Sequence, residues 1–241
     1  SWRFVARRTP YKVEKGKQYD IKINFTQNYD FTNANLNFDM GKESPVDYKG
    51  LIDRLKDIDV VVFAGGISGE LEGEEMPIEM PGFKGGDRTD IELPASQRNC
   101  IKALKKAGKR VIMVNCSGSA IGLMPESESC EAVLQAWYGG QSGGQAIAEV
   151  LFGKYNPSGK LPITFYENID QLPDFEEYDM KGRTYRYLED KPLFPFGYGL
   201  SYTTFDIGRA TASSISAKAG EKIKLVIPVK NTGKRTGSET V

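Results

Sequence analysis

Hydrophobic and polar positions alternate along the first 41 residues. In "TPYKVEKGKQYDIKINFTQ", Tyr19, Ile21, Ile23 and Phe25 share one face of an extended chain, and "EKGKQ" supplies a turn. "ANLNFDMG" alternates again through Leu36 and Phe38. Strands this few and short cannot bury a sheet face alone. Residues 1–41 therefore read as the closing strands of a β-sandwich whose other strands lie elsewhere.

From Pro45 the period changes. "VDYKGLIDRLKDID" sets Leu51, Leu55 and Ile58 at helical spacing, and the wholly apolar run "VVVFA" follows. "LPASQRNCIKALKKAG" predicts a second helix, with Pro94 near its first turn, basic residues near its end and Gly108 as the stop. "RVIMVN" and "VLQAW" read as strands, "SGGQAIAEVLFG" as a helix closed by Gly153, and "KLPITFY" as a strand after the turn "NPSG". Helices alternating with apolar strands predict an α/β fold, a mainly parallel sheet flanked by helices, over residues 42–205. From Asp206 alternation returns through Ile223, Leu225, Ile227 and Val229, ahead of the turn "NTGKRTG". Residues 206–241 read as the opening of a second β-sandwich, so partial β-sandwich segments are expected at both ends.

Composition narrows the function classes. The 241 residues carry 32 Lys plus Arg against 32 Asp plus Glu, a net charge of zero. That balance argues against a nucleic-acid or membrane-surface binder, which needs a basic excess. No apolar run approaches the roughly 20 residues of a membrane span. "SWRFVARRTP" lacks the apolar core of a signal peptide. The absence of histidine excludes Ser-His-Asp and Cys-His catalysis within the chain, together with the common zinc-ligand sets. Cys100, Cys116 and Cys130 have no CxxC spacing and read as buried free thiols.

The candidate chemistry sits in "GGISGELEGEEMPIEMPGFKGGDR", the loop leaving "VVVFA", where Glu70, Glu72, Glu74, Glu75 and Glu79 crowd together. In a parallel α/β sheet, ligands meet the loops at the carboxyl ends of strands. "NCSGSAIG" and "WYGGQSGG" leave neighbouring strands, so three Gly/Ser-rich loops are expected to share one rim with the glutamates. Nucleotide binding is disfavoured: "GGISGE" is not GxGxxG, no GxxxxGK[ST] occurs, and carboxylates repel phosphate. Calcium would suit acidic oxygens, but the alternating D-x-D-x-D-G ligand pattern is missing. A calcium site therefore stays a weaker third option behind a solvated surface loop and general acid/base chemistry. A carboxyl among carboxylates holds its proton more tightly, as a glycosidase acid must, and retaining enzymes pair it with a second carboxylate about 5–5.5 Å away.

Read in order, "VVFAGGIS", "EGEEM", "GGDRTDIELP", "VNCSGSAI", "QAWYGGQSGGQAIAEVLFGKYNPSGKLPITF", "GRTYRY" and "PLFPFGYGLSYTTF" closely resemble the second, α/β-sandwich domain of glycoside hydrolase family 3, the β-glucosidase and β-xylosidase family. The resemblance covers about residues 42–205. The last segment resembles the start of a fibronectin type III-like domain, and residues 1–41 the end of a protective-antigen-type β-sandwich insert. The resemblance implies retaining hydrolysis of β-linked xylo- or gluco-oligosaccharides from the non-reducing end, without a cofactor or metal. It implies a nucleophilic Asp on a preceding (β/α)8 barrel absent from this chain, and an acid/base Glu in the acidic loop. It also suggests periplasmic or secreted placement. "Glu74-Glu75-Met76" fits the acid/base pattern best, although Glu75 stands where a small residue is usual. Glu72 ranks second and Glu70 third, the latter counted among candidate sugar contacts. Asp87 and Arg88 are expected to orient the loop, and the spelling leans towards the β-xylosidase branch.

Plainer readings stand beside these. Trp137 and Tyr138 offer a face to a pyranose or else pack at a strand end. "PFGYGLSYTTF" reads as packing between domains, Cys116 as a small apolar group, and Asn115 and Ser117 as hydrogen-bonding across their loop. "KALKKAGKR" reads as a solvated helix face. As a whole, the alternative is a non-catalytic carbohydrate-binding or structural fragment of the same fold.

Overall fold

A computed structural model describes residues 9–25, 38, 40–42, 44–69, 71–72, 81–84 and 87–241. Its centre is a three-stranded parallel sheet. After helix α1 (Tyr48–Arg54), capped by the Asp47 side chain on Gly50 N–H, strand β1 spans Val60–Gly66. A small antiparallel ladder follows, β2 (Phe83–Lys84) against β3 (Asp87–Arg88). Helix α2 (Ala95–Lys106) leads into strand β4 (Arg110–Cys116), helix α3 (Met124–Ser129) and strand β5 (Ala132–Gln135). Helix α4 (Gly143–Leu151) completes the predicted helices, and one turn of helix, α5, spans Thr184–Tyr187. The sheet order is β1-β4-β5, with Val60 opposite Arg110 and Ile112 opposite Ala132.

Burial follows the strand period. Val111, Met113 and Asn115 of the central strand are fully buried on the face covered by α2, where Ile101 and Leu104 meet them. Leu93, Ile121, Leu123 and Phe165 close the core. Gly108 adopts φ +77° and ends α2 in the left-handed conformation that glycine takes without strain.

The structure departs from the sequence pattern at three places. "KLPITFY" is extended but forms no strand: its pairing with residues 194–198 is limited to a bridge between Phe165 and Phe194 and hydrogen bonds between Leu161 and residues 197–198. Pro162 and Pro195 supply no N–H to a ladder, so it stays interrupted. Helix α3 lies in "MPESES", which has no apolar period. Residues 9–25 carry the turn at Lys15–Gly16 but no ladder, and Ile21, Ile23 and Phe25 remain exposed; residues 26–37 lie outside the described set. Alternation alone does not make strands without partners.

At the other end, antiparallel pairs join β6 (Phe205–Ile207) to β9 (Val229–Asn231) and β7 (Thr211–Ala212) to β8 (Leu225–Val226). The aromatic segment before them packs on the 156–159 turn, where Asn156 Oδ1 accepts from Ser201 and from Tyr202 N–H. Among the described residues no helix is long and apolar enough to cross a membrane.

Candidate functional site

The carboxyl ends of β1, β4 and β5 form one rim. Gly66 ends β1 at φ +127°, and a Cβ there would lie 1.9 Å from the Cys116 carbonyl oxygen. Only glycine permits β1 and β4 to stay this close as the acidic loop departs. Ile67 N–H then donates to Cys116 O at 2.9 Å.

The floor of the rim is a buried polar network. Asn115, the sixth residue of β4, donates from Nδ2 to Ser117 Oγ at 3.0 Å and to Gln135 Oε1 at 2.6 Å. Gln135 Nε2 donates to the same Ser117 Oγ at 3.1 Å, and Ser117 donates to the Ser119 carbonyl at 2.8 Å. One hydroxyl thus accepts twice and donates once, its full capacity. Asn115 and Ser117 are both completely buried, so the shape of the β4 loop is set by strand-end side chains.

On this floor stands a carboxylate clamp. Glu72 Oε1 accepts from the Ser119 hydroxyl, and Glu72 Oε2 accepts from Gly118 N–H at 3.3 Å and from the Tyr138 hydroxyl at 2.5 Å. Arg88 Nη1 donates to Ser119 Oγ at 3.0 Å and to Ala120 O at 3.3 Å. Burial pulls the Arg88 pKa below its usual value, against the opposing pull of Glu72 and Asp90. The Tyr138 hydroxyl also lies 3.0 Å from Ile67 O. Desolvation, then the hydrogen bond and charge of Glu72, push its pKa up to about 12, so it remains a donor at neutral pH. The preceding residue, Trp137, takes φ +55°, uncommon for a bulky side chain. Its indole meets Phe165 edge-on at 6.1 Å against the core, while Tyr138 turns onto the acidic loop.

The rim therefore brings together Glu72, Tyr138 and Arg88 from the sequence-predicted set. Asp87 is exposed on β3, paired with Lys84. Glu70 and Glu74 lie outside the described residues. The sequence reading did not single out Gly118 or Ser119, although "NCSGSAIG" was marked as a rim loop. It also missed a buried ion pair beneath the rim. Arg98 donates to Glu126 Oε1 at 2.9 Å, to Glu126 Oε2 at 3.1 Å and to Gly122 O at 2.7 Å, and it also bonds Glu92. Glu126 is only 1% exposed, so this fork–fork pair fastens α2 to α3. No apolar pattern signals such a pair.

Chemically, the rim is a hydrogen-bonded anchor for an acidic loop beside Gly-rich turns. Comparison with known proteins gives it a context. The chain is 57% identical over 240 residues to a xylan 1,4-beta-xylosidase of Xylanibacter ruminicola, covering 100% of this chain and 27% of that protein. It is 39% identical over 202 residues to a periplasmic beta-glucosidase of Salmonella typhimurium, covering 79% of the chain and 25% of the relative. Among solved structures, a β-glucosidase of Erythrobacter marinus superposes with TM-score 0.65 at 36% identity, over 79% of this chain and 25% of that one. A beta-glucosidase of Kluyveromyces marxianus in complex with glucose gives 0.62 at 33%, over 78% and 22%. The chain thus spans about a quarter of the length of the relatives it matches. Residues 14–202 match the glycosyl hydrolase family 3 C-terminal domain, and the chain belongs to that family.

Proposed function

We propose that this chain is the acid/base-bearing part of a retaining, exo-acting β-glycosidase, a β-xylosidase first and a β-glucosidase second. Glu74 donates a proton to the leaving sugar oxygen and then takes one from water, while an Asp on a barrel elsewhere in the parent protein attacks the anomeric carbon. Asp87 and Arg88 orient the loop, and Glu70 and Tyr138 remain candidate sugar contacts, whereas the Trp137 indole packs against Phe165 and the core. The observation that carries this reading is the 57% identity, over the whole of this chain and 27% of the relative, to a protein named as a xylan 1,4-beta-xylosidase. The clamp at Glu72 supports it, because it ties the acidic loop to the strand ends where ligands of parallel sheets are met. The relative named as a periplasmic beta-glucosidase supports placement outside the cytoplasm.

The test assays aryl β-xylosides and β-glucosides with the isolated chain and with the parent protein. The chain alone is expected to be inactive, since acid/base help without a nucleophile is worth only about 10²–10⁴-fold. In the parent, Glu74→Ala slows substrates with poor leaving groups by a comparable factor, and azide restores part of the rate. Strong turnover by the isolated chain, or none by the parent, overturns the reading.

A further inference from the structure

We propose that Glu72 is a positioning residue that latches the acidic loop to β4 and β5, and that it is not the proton donor. This rests on the hydrolase reading above, but the latch itself is carried by contacts among described residues.

The geometry leaves Glu72 little freedom to do acid chemistry. Both of its oxygens are engaged by donors: the Ser119 hydroxyl on one, Gly118 N–H and the Tyr138 hydroxyl on the other. A general acid must aim its own O–H at the departing oxygen, whereas Glu72 is held as an acceptor. The direction of each bond is fixed by proton count. Arg88 can only donate, so Ser119 Oγ accepts from it and turns its single proton to Glu72. Tyr138 also has one proton, and the 2.5 Å contact to the carboxylate is shorter than the 3.0 Å contact to Ile67 O.

The surroundings are shaped for this latch. A Cβ on Gly118 would lie 2.8 Å from a Tyr138 ring carbon and 3.0 Å from Glu72 Oε2, so the glycine is what lets the two approach. Ser117 grips the Ser119 carbonyl from below, and Asn115 and Gln135 in turn hold Ser117. Glu72 is thus connected through Ser119 to the ends of the central and outer strands. Two peptide units reach at most about 7 Å, so anchoring Glu72 limits where the following residues can begin. A loss of one ångström in the aim of a catalytic group costs on the order of 10²-fold in rate.

The test uses the parent protein with Glu72→Ala, Glu72→Gln, Tyr138→Phe and Gly118→Ala, compared with Glu74→Ala. Glu72→Ala is expected to lower kcat for poor leaving groups by about 10–100-fold, keeping the basic limb of the pH–rate profile and gaining nothing from azide. Glu72→Gln, which retains one acceptor oxygen, recovers part of the rate. Gly118→Ala, which wedges a methyl between the Tyr138 ring and the Glu72 carboxylate while leaving residue 72 a glutamate, falls the same way as Tyr138→Phe. Adding Tyr138→Phe to Glu72→Ala costs little more, because the two act as one unit. Loss of the basic limb together with azide rescue in Glu72→Ala makes Glu72 the acid and overturns the proposal. Wild-type kinetics in both Glu72→Ala and Gly118→Ala also overturn it. Hydrogen exchange of the peptide covering residues 67–82 supplies a readout independent of turnover. Faster exchange in Glu72→Ala with an inactive parent keeps the latch while sinking the hydrolase reading; unchanged exchange sinks the latch alone.

Discussion

Gln97 holds Gly66 by both of its backbone groups: Nε2 donates to the Gly66 carbonyl and Oε1 accepts from its N–H, each at 2.7 Å. One α2 side chain thereby satisfies the last residue of β1, whose N–H and C=O leave the sheet at the point where the acidic loop begins. Gln97→Leu orphans both groups and is expected to cost about 1–3 kcal/mol. Urea unfolding of the two proteins measures it, and an unchanged midpoint would mean that water replaces the amide.

Gly66→Ala is expected to be more damaging. The added methyl overlaps the Cys116 carbonyl, and the φ of +127° is hostile to any L side chain. Strain of this kind plus overlap in a packed sheet exceeds about 3 kcal/mol. A melting curve indistinguishable from wild type would show that β1 shifts away from β4 at small cost.

Arg98→Met leaves Glu126 buried beside no cation, and breaking a buried pair on one side costs about 3–5 kcal/mol. Arg98→Met combined with Glu126→Leu is expected to recover a large part of that loss, because an apolar pair needs no compensation. Denaturation midpoints of the single and double variants give the comparison. A double variant less stable than Arg98→Met contradicts it.

Tyr138 makes a pH prediction whose sign is fixed by its raised pKa of about 12 against the ordinary 10.0. Above about pH 10 the unfolded chain loses this proton while the folded chain keeps it, so stability falls as pH rises towards 12. Below that window the contribution is complete. The stability difference between wild type and Tyr138→Phe is therefore flat through neutral pH and shrinks above pH 10. A difference that widens there would reverse the assigned direction.

Legibility in the sequence tracked how local each interaction is. Helix α2 was readable because Pro94 opens it, Gly108 closes it and Ile101 and Leu104 keep helical spacing between them. Helix α3 was not, since its buried member is Glu126, held by an arginine 28 residues away. The parallel strands were readable as apolar runs, but the expected strand at "KLPITFY" overlooked what Pro162 and Pro195 do to a ladder together. The glutamate loop was picked out by its composition, and the rim by its glycines and serines. Which glutamate does what was not legible, because the groups that fasten Glu72 come from 46 to 66 positions further along the chain.

The outer edge of β1 has no ladder partner among the described residues, and the strand is entirely apolar, with Val62 still 51% exposed. It lacks the lysine, proline or bulge with which sheet proteins usually blunt such an edge. Prepared on its own, the polypeptide is expected to cloud on warming in a concentration-dependent way. A lysine at position 62 is then the first substitution to try for a well-behaved sample.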